Sequence, residues 1–276
     1  MAVTHLVFRA AGPAPIAPTR ADVRRVVSAL LRVGWDVPLL AFQVSDGHVH
    51  LLVALGRVEA GRLAQRVTLA LRPAVSGGVR CVGYTEVRDP GHLTSTFEYV
   101  LRNDEKHGVA PDPWRENGAL PDLLGLRAVR STLLTTVRRC LPRVNGAVLR
   151  RMAGWPDLVP AGGTVGVEAA LAAVTAALAV DPLSGRGDAA VDGRRALAHL
   201  FPAAPAALAA ALGRTVESLR VLRAVPPRED LLRATRMQLS LQGGFPLVAP
   251  GPFATGDAPV PWADAPRFLS ARTTEG

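Results

Sequence analysis

Residues 38–55 read PLLAFQVSDGHVHLLVAL: an apolar run from Pro38 to Val44, the turn signal Ser45-Asp46-Gly47, and a second apolar run from His48 to Leu55. Each run has strand length, and a Ser-Asp-Gly break between two such runs is a hairpin signal. Upstream, Thr4 to Arg9 reads as a short strand. After a loop with Pro13, Pro15 and Pro18, Thr19 caps a helix that runs to about Val33, with Val23, Val26, Val27 and Leu30 at helical spacing. Downstream, Val58 to Leu71 reads as a second helix, Gly77-Gly78 as a turn, Val79 to Val87 as a fourth strand, and Leu93 to His107 as a third helix. The order βαββαβα predicts an α+β unit with a four-stranded antiparallel sheet and helices on one face, the split βαβ plan.

A linker over 111–119, containing Pro111, Pro113 and Gly118, closes this first domain at residue 110. Residues 120–242 read as an α-helical domain broken at Pro142, Gly154-Trp155-Pro156, Gly162-Gly163 and Pro182 to Gly187. The tail, 243–276, is rich in Pro, Gly, Asp and Thr and is expected to be irregular. A chain of 276 residues is long enough for two such units. Val165 to Val180 is the most apolar later stretch, but it contains Glu168 and falls short of the ~20 residues a bilayer span needs, so it is expected to be a buried helix. Met1 to Arg9 lacks the apolar core of a secretory signal, and Cys81 and Cys140 have neither zinc-ribbon nor disulfide-framework spacing. No membrane partner and a reducing, cytoplasmic setting follow as expectations.

The formal charge is +9, and Lys106 is the only lysine, so the excess is carried by arginine. Guanidinium groups pair with phosphate in a bidentate way, which favours a polyanionic partner over a neutral metabolite.

On a strand, side chains alternate with period two, so the imidazoles of His48 and His50 emerge from one face and can converge on one ion. The third helix offers Tyr99 and Asn103 at i and i+4, one turn apart on one face, with His107 a further turn along. Two imidazoles and the amide oxygen of Asn103 suit Mg²⁺ or Mn²⁺ with a substrate phosphate, and lack the thiolates of structural zinc. Tyr99 beside such a phosphate could act as a nucleophile, the cation favouring its phenolate. Taken singly, a His-x-His in a strand or a tyrosine on a helix is as readily a packing feature.

At these residues the sequence resembles a known family. Gly47-His48-Val49-His50-Leu51-Leu52-Val53 is similar to the HUH motif (His, hydrophobic, His) of IS200-like, REP-associated single-tyrosine transposases, and Glu98-Tyr99-Val100-Leu101-Arg102-Asn103 to their catalytic helix. The opening strand Thr4-His5-Leu6-Val7-Phe8-Arg9 matches as well, so the resemblance covers roughly residues 3–110. It implies a ferredoxin-like sheet, Tyr99 as nucleophile, and His48, His50 and Asn103 as metal ligands. It also implies nicking and strand transfer of single-stranded, hairpin-forming DNA through a 5′-phosphotyrosine. Two positions depart from the family pattern: Asp104 stands where proline is common, and Asp46-Gly47 precedes His48 in place of proline-asparagine.

Arg9 and Arg102 lie beside these motifs and are candidate DNA contacts. In the helical region, Arg194 to Phe201, Pro205 to Leu212 and Thr215 to Ala224 read as three short helices, the last two joined at Gly213-Arg214. That is helix-turn-helix spacing and resembles the replication-initiator-like module of some longer relatives, with Arg214, Ser218 and Arg220 as candidate DNA contacts. Two other readings stay open: a non-catalytic binder of structured single-stranded DNA or RNA acting as a regulator, and a metal-dependent hydrolase using water. The oligomeric state, monomer or homodimer, is not fixed by the sequence.

Overall fold

The computed structural model describes residues 2–45, 47–106, 114–155, 166–180, 183, 185–202 and 205–244. Asp46, His107, Pro111, Pro113, Pro156, Gly162-Gly163, Val165, Pro182 and the tail beyond 244, all invoked above, lie outside the described residues. The chain is α+β. It runs β1 (Thr4–Ala10), α1 (Arg20–Val33), β2 (Leu39–Val44), β3 (His48–Val53), α2 (Arg57–Leu71), β4 (Val79–Glu86) and α3 (Pro90–Leu101). The strands form one antiparallel sheet in the order β2-β3-β1-β4, in which Arg9 faces His48, Val7 faces His50, and Gln43 faces His50 from the other side. The capping signal at Thr19 is realised as a full capping box, its side chain accepting from the Asp22 N–H while the Asp22 carboxylate accepts from the Thr19 N–H.

Alternation sorts the sheet into two faces. Leu6, Phe8, Val49, Leu51 and Val53 are all buried and make the apolar face, beneath α1 and α2, which pack on each other and on the sheet. His5, Val7, Arg9, His48 and His50 share the opposite face. The third helix does not join α1 and α2, as the plan of helices on one face expected: the Tyr99 ring of α3 packs against His5 and His50, which puts α3 on the histidine face.

Beyond α3 come α4 (Asn103–Lys106), α5 (Leu120–Leu123), α6 (Leu133–Cys140), α7 (Gly146–Ala153), α8 (Val167–Leu178), α9 (Asp188–Leu200), α10 (Pro205–Ala211), α11 (Val216–Arg223) and α12 (Glu229–Gly244). The first hydrophobic core does not end at the expected linker. Trp114, Ala119, Leu133, Leu149 and Trp155 belong to it, and the second core is built from α8 to α12 with Ala128. Charge explains part of this continuity. Glu116 reaches back into the first unit, where its carboxylate accepts from Arg24 Nε at 2.8 Å and Nη2 at 3.1 Å and lies 3.5 Å from Arg20 Nη1. Burial alone would raise that carboxyl, but Arg24, Arg20 and Arg127 hold it below its usual range. Among the described residues no helix is long and apolar enough to cross a membrane.

Candidate active site

The hairpin brings His48 and His50 to the same face, their ring centroids 4.6 Å apart. His50 is buried at 3 % exposure and His48 is partly exposed at the strand's start. The Tyr99 ring stands edge-on to His50 at 5.4 Å and to His5 at 6.0 Å. Asn103 meets the other histidine, with its Nδ2 3.1 Å from His48 Nε2. The four residues implied by the two motifs therefore come together from elements some fifty residues apart in sequence.

The route by which Asn103 arrives is not the one predicted. Leu93 to His107 is not one helix: α3 begins earlier, at Pro90 behind the Asp89 N-cap, and ends at Leu101. Arg102 caps it with φ −116° and ψ 23°, and Asn103 opens the separate turn α4. Proximity of Tyr99 and Asn103 thus owes less to i,i+4 spacing than to a buried polar network that draws the chain down onto the hairpin. Asn103 Nδ2 donates to Ser45 Oγ at 2.8 Å, and Ser45 Oγ donates to Asp104 Oδ1 at 3.0 Å. Asp104 Oδ2 accepts from Gln43 Nε2 at 2.8 Å and from Asn117 Nδ2 at 2.9 Å. Asp104, the departure from the family pattern, is the hub of this network; proline there could have made none of these bonds. Gln43, Asn117 and Asp104 were not among the predicted site residues. Gln43 carried a signal, a polar side chain inside an apolar strand, whereas Asp104 and Asn117 sit in polar stretches and carried none.

His5 is the other addition. Its Nε2 shares a 2.8 Å hydrogen bond with His50 Nδ1, and the two rings stack at 5.0 Å and 18°. The bond occupies Nδ1, so ligation by His50 must use Nε2. Burial, then the charge of His92, pulls the His5 pKa down to about 4, which keeps that imidazole neutral. Burial pushes the Tyr99 phenol above its ordinary value, so the protein alone does not supply a phenolate.

Among the described residues no group of three or more His, Cys, Asp or Glu side chains forms a metal cluster; the expected set relies on an amide. That amide fits a hard cation in one respect: Asn103 is fully buried and its Oδ1 has no hydrogen-bond partner among the described residues. A buried acceptor left in that state costs free energy that a cation can recover.

Arg9 is exposed at the end of β1, in register with His48 on one side and Arg80 of β4 on the other, so a basic row crosses the sheet beside the site. Arg102 is exposed next to Asn103. Arg214, Ser218 and Arg220 lie in the helical region, where α10 and α11 are joined by a short turn at Gly213 (φ +59°) and Leu219 is buried. The first of the three helices there starts at Asp188, not Arg194. Ser218 Oγ donates to Thr215 O at 2.7 Å, and Arg220 pairs with Glu217 at 3.0 Å. No family model matches the chain, and neither does any curated protein or solved structure.

Proposed function

We propose that this chain is a single-tyrosine DNA strand transferase acting on single-stranded, hairpin-forming DNA. The observation that carries the reading is the convergence of Tyr99 and Asn103 on His48 and His50. The strand order β2-β3-β1-β4 supports a ferredoxin-like sheet as its scaffold. In the reaction the Tyr99 Oη–phosphorus bond forms, the bond from phosphorus to the 3′ oxygen breaks, the phenol proton leaves to solvent and the released 3′ oxygen takes one up. The reverse attack by a 3′-hydroxyl reseals a strand, so no nucleotide cofactor is consumed. His50 Nε2, Asn103 Oδ1 and His48 would hold the cation, with His5 fixing the His50 ring and His48 Nε2 giving up its contact with Asn103 Nδ2 if it is the ligating nitrogen. Mg²⁺ or Mn²⁺, when bound, neutralises the phosphate and stabilises the phenolate. Arg9, Arg80 and Arg102 offer charge for the flanking phosphates.

The test is covalent capture. A labelled DNA hairpin incubated with Mn²⁺ should become attached to the protein and survive denaturation. Tyr99→Phe keeps the ring volume and should abolish the adduct while preserving folding and hairpin binding. Tight hairpin binding with no cleavage by the wild type would leave a regulator; cleavage by the Phe variant at the wild-type rate would leave a water-using hydrolase.

A further inference from the structure

The helical region holds a second concentration of charge, remote in sequence from the histidine face. A cleft of about 450 Å³ opens between α9 and α11, lined by Arg186, Arg194, Arg214 and Ser218, with Val221 and Leu222 on its apolar side. Arg194 is 7 % exposed, and its guanidinium is fixed by the carbonyls of Leu183 and Gly185. Three other arginines of this region have carboxylates, Arg195 with Asp192, Arg220 with Glu217, and Arg228 with Asp192 and Asp230, while Arg223 is held by the carbonyls of Ala198 and Phe201. Among the described residues Arg186, Arg194 and Arg214 have no carboxylate. Burial, then the Arg214 charge, pulls the Arg194 guanidinium below its ordinary value, so the pair is held together against its own repulsion. Like charges so arranged lower stability unless an anion joins them.

We propose that this cleft is a phosphate-binding site for the backbone of duplex DNA, seating α11 against the helix independently of the catalytic centre. Arg194 supplies a fixed guanidinium at the floor and Arg186 and Arg214 exposed ones at the rim, the arrangement a phosphodiester can bridge with charge-assisted hydrogen bonds. Arg220 stands apart from the cleft, and the Ser218 hydroxyl proton is committed to Thr215 O, so the contact reads backbone charge more than base sequence. The inference goes beyond strand transfer and does not depend on it.

A short labelled DNA duplex titrated with the full chain tests it by fluorescence anisotropy across a salt series. The double variant Arg186→Gln/Arg214→Gln changes two exposed side chains and removes the charge facing Arg194, so it should fold and melt at or slightly above the wild-type temperature. It should bind the duplex about tenfold more weakly, with a salt slope smaller by about two. Arg214→Glu places a carboxylate beside Arg194 and should raise Tm while weakening binding further. His48→Ala/His50→Ala should bind the duplex like the wild type. No duplex binding by the wild type, or equal affinity and slope in the double Gln variant, would overturn the proposal. So would duplex binding lost in the histidine variant, or tighter binding of an RNA duplex of the same sequence. Inorganic phosphate at constant ionic strength separates the sources: if it raises the wild-type Tm while the double variant still binds the duplex normally, the cleft takes a small free anion and the proposal fails.

Discussion

Because His5 Nε2 holds His50 Nδ1 at 2.8 Å, the His50 ring has one orientation and one nitrogen to offer. Loss of such a partner behind a ligating histidine commonly costs 10–100-fold in metal affinity. His5→Ala should therefore weaken Mn²⁺ binding by roughly that factor in an electron paramagnetic resonance titration, with no DNA present. Unchanged affinity would deprive His5 of an orienting role. The same residue imposes a pH dependence. Its pKa is about 4 in the folded chain against 6.5 for the unperturbed group, so the unfolded state binds its proton more readily. The contribution is complete above about pH 6.5 and is lost as pH falls from there towards 4, on the order of 3 kcal/mol in total. Urea unfolding of metal-free protein should show that decline between those values, and His5→Gln should flatten it relative to the wild type.

At the scale of elements, local chemistry was the legible part. The Thr19 box and the Gly77-Gly78 turn each act through neighbouring backbone, and each marks the element it was read to mark. What could not be read was decided by distant partners. The interruption of the third helix at Arg102 depends on Gln43, Ser45 and Asn117 reaching Asp104, and no window around residue 102 contains them. Gly193 shows the same limit in reverse. The helix expected from Arg194 starts earlier, at Asp188, and Gly193 lies inside α9 where Leu183 and the α8 side chains approach closely. A Cβ there would sit 2.7 Å from Leu183 Cδ2 and 3.0 Å from Leu178 Cδ1. Gly193→Ala should accordingly destabilise by about 1–3 kcal/mol, although propensity alone favours alanine by about 1 kcal/mol. A Tm at or above that of the wild type would show that the α8–α9 contact can relax.

For the molecule as a whole, the motif-bearing segment and the folding unit differ in extent. A chain ending at residue 110 would contain all four predicted site residues but lack Glu116, leaving Arg20 and Arg24 buried without their carboxylate, and lack Asn117 beneath Asp104. Removing one partner of a buried pair costs about 3–5 kcal/mol, a large share of a domain's stability. Thermal melts followed by circular dichroism should show no cooperative transition for that fragment and a cooperative one for a chain ending at residue 155, which keeps nearly all of the first core. The bond after Asn117 carries a further consequence. Asn-Gly is the dipeptide most open to deamidation, in which the glycine nitrogen attacks the asparagine side chain to form a succinimide. Here the Gly118 N–H donates to Arg115 O, and the Asn117 amide is fully buried, donating to Val44 O and Asp104 Oδ2. Folding therefore withholds both reactants. A molecule that lingers unfolded ages at this bond, and the aspartate it acquires there would face Asp104 across the same hydrogen bond, charge against charge, so that time spent unfolded is written into the chain as a lesion opposing its return.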